Sequence, residues 1–323
     1  MIDNQIQTYY FLGIGGIGMS ALARYFAAKG ARVLGYDRTP SPLTKELEAE
    51  GIAVQYDDCL DTVKALDIAN TIVVRTPAVP EDFAVYVWLR EQGFQILKRA
   101  EVLGLVTRSE RALCVAGTHG KTTTSTMLAH ILHQSHVGAN AFMGGIANNY
   151  GTNLLLDQAS DLVVVEADEF DRSFHHLTPY ISVITSMDPD HLDIYGTEEA
   201  YRESFMHYAS LVQEALVVKS GLAFNVESLK AKVYTYAVGE QADFYADNVQ
   251  VQDGEIRFDF YTPMGKVADI QLGVPVWVNI ENGVAAMAVA WLMGATDEEL
   301  RSGMSTFSGV YRRFNMHVNT PQV

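Results

Sequence analysis

Ala116-Gly117-Thr118-His119-Gly120-Lys121-Thr122-Thr123-Thr124 follows a short apolar run, residues 113–116, and opens a helical stretch, residues 122–133. A buried strand, a glycine-rich turn and a helix in that order belong to a parallel α/β sheet. The turn is close to a phosphate-binding loop. It departs from the standard G-x-x-x-x-G-K-[ST] in one place, because Val115 stands where the first glycine would be. The working part is intact. Gly120 permits the turn, Lys121 can reach β- and γ-phosphates, and Thr122 offers a hydroxyl to Mg²⁺. Packing alone gives no reason for Gly-x-x-Gly-Lys-Thr at this junction.

The chain has 323 residues, past the size at which one hydrophobic core usually stops growing, so two domains are expected. Apolar runs at 9–14, 32–36, 71–74 and 94–97 read as strands, with helical patterns at 19–29, 41–50 and 82–92. This first domain, residues 1–108, closes at the polar break Arg108-Ser109-Glu110-Arg111. A central domain follows, residues 109–312. Its β-branched runs at 161–165 and 180–185 suit central parallel strands. Alternating segments at 248–252, 255–261 and 267–272, separated by Asp253-Gly254 and Pro263-Met264-Gly265, read as antiparallel hairpins. An alanine-rich helix is expected over 281–293. The fold class is therefore α/β: a Rossmann-like parallel sheet, then a P-loop-type domain carrying an added antiparallel β segment.

Charge narrows the partners. Lys plus Arg number 23 against 39 Asp plus Glu, a net charge of −16. Nonspecific nucleic-acid binding needs a basic footprint, so no nucleic-acid partner is expected. An anionic nucleotide stays admissible, since a few aimed N–H groups, one lysine and a metal reverse the field locally. With two cysteines, Cys59 and Cys114, no disulfide framework is possible. The N-terminus has no signal-peptide pattern, and no apolar run reaches the roughly 20 residues of a membrane span. The expected location is cytoplasmic, with no membrane partner.

A second glycine-rich turn, Gly13-Ile14-Gly15-Gly16-Ile17-Gly18, fits G-x-G-x-x-G between a strand and a helix. There the helix N-terminus offers N–H donors to a phosphate, and Asp37 at the end of the next strand is placed to meet a ribose or base. Taken alone, this turn suggests NAD and an oxidoreductase. Acidic residues also follow two central strands: Glu166, Asp168, Glu169 and Asp171 after the first, Asp188, Asp190, His191 and Asp193 after the second. Open α/β sheets bind ligands beyond the carboxyl ends of their strands, so both clusters share the edge of the lysine loop.

Together these segments resemble the Mur ligase family, over essentially the whole chain. Residues 117–124 are similar to its ATP loop. Glu166-Ala167-Asp168-Glu169, Phe174-His175-His176-Leu177, Asp188-Pro189-Asp190-His191-Leu192-Asp193 and Arg312-Arg313-Phe314 resemble the branch that joins L-alanine to UDP-N-acetylmuramate. The resemblance implies that the first turn, with Gly13, Gly15, Gly16, Ile17, Gly18, Met19, Ser20 and Asp37, cradles a UDP-sugar instead of NAD. It implies ATP and Mg²⁺ as cofactors and an acyl phosphate attacked by the amine of L-alanine. Gly117, Thr118, His119, Gly120, Lys121, Thr122 and Thr123 would hold the phosphates of ATP. Lys121, Glu166 and His191 would be catalytic, and Thr122, Glu166 and His191 would hold metal. Asn282 would meet adenine and Arg312 the nucleotide, while Asn148 and His176 would lie near the muramoyl group.

Two departures stand out. Val278 replaces a histidine common in the family before Asn279, and no lysine lies between Tyr195 and Gln213, where several relatives carry a carbamoylated one. The resemblance further implies a third domain after Arg312-Arg313-Phe314. Residues 313–323 would begin the linker to it, and without it the chain would bind nucleotides but not complete ligation. The alternatives are an NAD-dependent oxidoreductase, which leaves Lys121, Glu166 and His191 without a role, a nucleotide-sensing switch, and a recycling ligase that attaches a whole peptide to the same sugar.

Overall fold

The computed structural model describes residues 6–223, 225 and 228–313. The chain divides into two compact units, with the boundary between Ser109 and Glu110.

The first unit alternates strand and helix throughout: β1 (Thr8–Leu12), α1 (Ile17–Ala28), β2 (Arg32–Tyr36), α2 (Pro42–Ala49), β3 (Ala53–Gln55), α3 (Asp61–Lys64), β4 (Thr71–Arg75), α4 (Ala84–Glu91), β5 (Gln95–Lys98) and α5 (Arg99–Ser109). All strand pairs are parallel, in the order β3-β2-β1-β4-β5. The chain leaves β1 in one direction across the sheet and later returns to its other side at β4. A crevice therefore opens past the carboxyl ends of β1 and β4, the switch point where such sheets take ligands. Buried Tyr10, Leu12, Leu34, Val73, Val85 and Leu89 form one core of this unit. Ser41 caps α2 in a reciprocal capping box with Thr44, with Pro42 at the first helical position.

The second unit holds β6 (Arg111–Ala116), α6 (Lys121–Gln134), β7 (Asn140–Ala147), β8 (Thr152–Leu155), β9 (Leu162–Glu166), β10 (Pro179–Ile184), α7 (Leu192–Tyr195), α8 (Glu198–Ser210), β11 (Ala215–Lys219), β12 (Lys232–Val238), β13 (Phe244–Gln252), β14 (Glu255–Thr262), β15 (Gly265–Gln271), α9 (Val278–Leu292) and α10 (Asp297–Thr306). Its sheet runs β15-β14-β13-β12-β11-β10-β6-β9-β7-β8. The middle is parallel, and β7–β8, β13–β14 and β14–β15 are antiparallel. Strand β13 starts earlier than its alternation suggests. Its first residues pair parallel with β12, Tyr236 opposite Phe244, before the strand turns to antiparallel pairing with β14.

Helix α9 is apolar on every side and almost wholly buried, against α6 and the sheet. It begins a turn before the alanine-rich stretch that announces it. Strand β6, flanked by β9 and β10, is buried from Ala112 to Ala116 and delivers the lysine loop at its carboxyl end. No described helix is long and apolar enough to cross a membrane.

Candidate functional site

In the first unit, the turn after β1 is built by close approach. Gly13 has φ +86°, and a Cβ there would overlap the Thr76 side chain, which arrives from β4. The N–H groups of Gly13 and Ile14 both donate to Tyr36 O, at 2.8 and 3.0 Å. Gly15 N–H donates to Asp37 Oδ2 at 2.7 Å, and Gly16 N–H to Gly13 O at 3.3 Å. Asp37 thus ties the turn down, and its other oxygen accepts from Thr39 N–H. In this conformation the N–H groups of Gly15 and Gly16 are therefore directed at Asp37 and Gly13. The start of α1 carries no side-chain cap, so a helix terminus with its positive dipole end faces the crevice. Ser20 is turned inward: it is buried and its hydroxyl donates to Ile17 O.

Beside the turn lies a cavity of about 400 Å³, lined by Gly13, Gly16, Met19, Tyr36, Asp37 and Arg38 on one wall. Thr76, Ala78, Val79, Pro80 and Phe83 form the other. Tyr36 and Phe83 approach with ring centroids 4.4 Å apart. Arg38 puts the exposed cation of this wall at the rim. Sequence reading found the glycines and Asp37 but missed Tyr36, Arg38 and the whole segment 76–83. The clue was Thr76-Pro77-Ala78-Val79-Pro80 directly after a buried strand, which marks a rigid loop at a strand's carboxyl end.

In the second unit, β6 runs into Gly117, at φ +137°, where a Cβ would collide with Thr185 Oγ1. The loop is hydrogen-bonded to the segment after β10. Ser186 Oγ accepts from His119 N–H at 2.9 Å, and Thr118 Oγ1 donates to Asp188 O at 2.7 Å. Thr118 also meets the Tyr201 hydroxyl at 2.8 Å. Lys121 opens α6 and turns back, its Nζ 2.8 Å from Gly117 O and 2.7 Å from Glu169 Oε2. Thr122 is buried, and Thr123 half-buried beside it.

Glu166 ends β9 level with Val115 of β6. Its Oε2 is buried with no hydrogen-bond partner. Burial pushes the Glu166 carboxyl up, while the Thr122 hydroxyl, the Lys121 ammonium and Arg313 oppose that shift. Space for this side chain comes from Gly144 on the neighbouring β7, where a Cβ would overlap the carboxylate. Lys121 and Thr122 are therefore brought together with the buried Glu166 carboxyl, on which both act.

The other expected residues stand further out. His191, with φ +53°, precedes α7; its ring lies edge-on to Phe170 at 5.2 Å and 3.8 Å from Asp190 Oδ2. Among the described residues, no three His, Cys, Asp or Glu side chains stand together as a metal cage. Asn282 is buried on α9. Its Oδ1 accepts from Thr124 Oγ1 at 3.2 Å and its Nδ2 donates to Asn279, so its side chain ties α9 to the first turn of α6. Asn148 is bound to the segment after α10, through Ser308 O at 2.9 Å and Gly309 O at 3.0 Å. His176 is exposed at the end of the 3₁₀ segment Phe170–His176. Arg312 is exposed, with its guanidinium 5.3 Å from the Tyr311 ring; Phe314 lies outside the described residues.

Comparison with known proteins agrees with this architecture. Residues 8–111 match the profile of the Mur ligase family catalytic domain, and residues 115–290 that of the Mur ligase middle domain. A UDP-N-acetylmuramate–L-alanine ligase of Phocaeicola vulgatus is 56% identical over 99% of this chain and 71% of its own length. One from Parabacteroides distasonis is 57% identical over 99% of this chain and 70% of its own. Among solved structures, the UDP-N-acetylmuramate-alanine ligase of Thermotoga maritima superimposes with a TM-score of 0.79 at 26% identity, over 98% of this chain and 72% of that one. A ligase from Neisseria meningitides that acts on UDP-N-acetylmuramate and a peptide gives 0.81 at 25% identity, over 95% and 100%. With two such profiles spanning both units and relatives this similar along nearly its whole length, the chain belongs to the Mur ligase family.

Proposed function

We infer that this chain serves an ATP-dependent, ADP-forming ligase that joins L-alanine to UDP-N-acetylmuramate in peptidoglycan precursor synthesis. The observation that carries the reading is the meeting of Lys121 and Thr122 with the buried Glu166 carboxyl at the strand ends of the second unit. The relatives' shared activity supports the choice of substrates.

In this reading the muramoyl carboxylate attacks the γ-phosphorus of ATP, ADP leaves, and the amine of alanine displaces phosphate from the acyl phosphate. Such chemistry rests on positioning and charge neutralisation more than on a protein nucleophile. Lys121 stabilises charge on the transferring phosphoryl group. The hard oxygen donors Thr122 and Glu166 fit Mg²⁺ and would hold it, and His191 would serve as a further ligand. Bound there, Mg²⁺ neutralises phosphate charge. The cavity of the first unit takes the UDP-sugar. Its diphosphate would lie at the start of α1 beside Gly16 and Met19, on the same cavity wall as Arg38. Asn282 would meet the adenine and Arg312 the nucleotide, with Asn148 and His176 near the muramoyl group. Two free cysteines, one buried, suit the reducing cytoplasm where ATP and UDP-sugars are found.

Calorimetry with UDP-N-acetylmuramate, Mg²⁺–ATP and NAD in turn tests the assignment. Binding of the first two and not of NAD is expected. Binding of NAD, with no response to the UDP-sugar, would return the first unit to an oxidoreductase reading.

A further inference from the structure

The amine of Lys121 is fully engaged by the protein's own acceptors. An ammonium has three N–H donors. Here they face Gly117 O at 2.8 Å, Thr118 O at 3.4 Å and Glu169 Oε1 at 2.9 Å. Glu169 is the unusual partner. Its side chain is 2% exposed, and its Oε2, also 2.7 Å from Nζ, receives no aligned hydrogen bond. Among the described residues, Lys121 is the cation paired with this carboxylate, which the fold has removed from water.

The two ends of the pair differ in freedom. Glu169 sits where the backbone is held on several sides. Its carbonyl accepts from the Tyr195 hydroxyl and from Arg172 N–H, and Phe174 N–H closes onto Asp168 O. Lys121 has a flexible four-carbon stem and a partly exposed tip. If phosphates enter the loop, the lysine moves and the glutamate stays. Opening the pair leaves a buried carboxylate without its counter-charge, which is unfavourable. That cost is subtracted from the affinity of whatever opens it.

We propose that Glu169 is a positioning residue that parks Lys121 in the nucleotide-free loop and competes with the β- and γ-phosphates for its ammonium group. Parking keeps the lysine folded onto the loop's own carbonyls, so that the loop holds its shape while empty. It also makes nucleotide affinity depend on phosphate length, because only a ligand that reaches Nζ repays the lost pair. This rests on the ATP-loop reading above.

The test compares wild type with Glu169→Gln, which keeps the shape and removes the charge. Calorimetry with Mg²⁺–ADP should show binding roughly tenfold tighter in the variant, about the size of a charge-assisted hydrogen bond. With AMP, too short to reach Nζ, the two proteins should match. In a Lys121→Met background the gain should vanish. A merely structural glutamate would give the opposite sign, weaker binding of both nucleotides. A second measurement needs no variant: in a wild-type structure with Mg²⁺–ADP, Nζ should have left Glu169 for phosphate oxygens. Unchanged or weakened ADP binding in Glu169→Gln, or an intact Lys121–Glu169 pair beside bound ADP, overturns the proposal. Wild-type protein that binds no adenine nucleotide overturns the ATP-loop reading instead.

Discussion

Gly144→Ala should damage metal-dependent nucleotide binding while leaving the fold nearly intact. A Cβ at Gly144 would land on the Glu166 carboxylate, overlapping Oε2 and lying 2.8 Å from Oε1. The obstructing atoms are the far end of a side chain and not backbone, so β7 and β9 need not separate. Glu166 swings aside instead, into a poorer rotamer at a cost of roughly 0.5–1.5 kcal/mol. In a unit of this size that lowers Tm by roughly 1–6 °C. The functional loss is larger, because the displaced carboxyl is buried, has one oxygen without a hydrogen-bond partner and interacts with the Thr122 hydroxyl. Displacing a group that orients a metal site typically costs roughly 10–100-fold in metal affinity. The assay is ATP affinity as a function of Mg²⁺ concentration, with thermal unfolding run alongside. Glu166→Gln provides the comparison: once Glu166 is neutral, adding Gly144→Ala should change little further. Magnesium dependence identical to wild type in Gly144→Ala would refute the reasoning. So would a double variant whose losses simply add.

Gly16→Val should abolish UDP-sugar binding without unfolding the first unit. A Cβ there meets only Gly13 O and Met19 Cγ at 3.6 Å, so the added carbons fit the chain and occupy the cavity; circular dichroism with calorimetry checks both halves. Arg75→Ala should weaken the same binding roughly tenfold, the worth of a hydrogen bond to a charged group. Arg75 holds the cavity's far wall through Val79 O at 2.8 Å and Glu81 at 2.6 Å, with its guanidinium 4.0 Å from the Tyr86 ring. ATP binding should be unchanged, and Arg75→Lys should rescue only partly, since lysine lacks the fork. His130, buried between the Tyr150 hydroxyl and Thr306 Oγ1, has its pKa held down to about 4 by burial and by His133. The folded value lies below the ordinary 6.5, so the unfolded chain binds the extra proton. Its contribution is present above pH 6.5 and is lost as pH falls towards 4. Urea unfolding should weaken across that window, and His130→Gln should flatten the slope by about one proton. An unaltered slope would mean that His130 titrates alike in both states.

The parts legible in the sequence share one property: their physical cause is local. The strand-turn-helix at Lys121, the run of valines in β9 and the helical stretch that becomes α2 each follow from neighbours within one element. Strand β7 is different. Asn140-Ala141-Phe142-Met143-Gly144-Gly145-Ile146-Ala147 does not announce a strand, because paired glycines disfavour one. The glycines are there because other parts of the chain need the room. Glu166 from β9 occupies the space beside Gly144, and Val310 and Thr122 crowd Gly145. Glu169 eluded the reading for a similar reason. It stands in a run of four acids, Glu166, Asp168, Glu169 and Asp171, and composition cannot single out the one whose side chain is buried against Lys121. The cavity wall at 76–83 and the hold of Asp37 on Gly15 depend likewise on the order in which strands assemble, with β4 placed beside β1. The sequence motif locates where phosphates can be met. Which groups face them, and which are already engaged, is decided by contacts between residues far apart in the chain. The same motif residues can therefore be brought to the strand ends, as Lys121 is, while the loop remains closed onto its own glutamate until a ligand opens it.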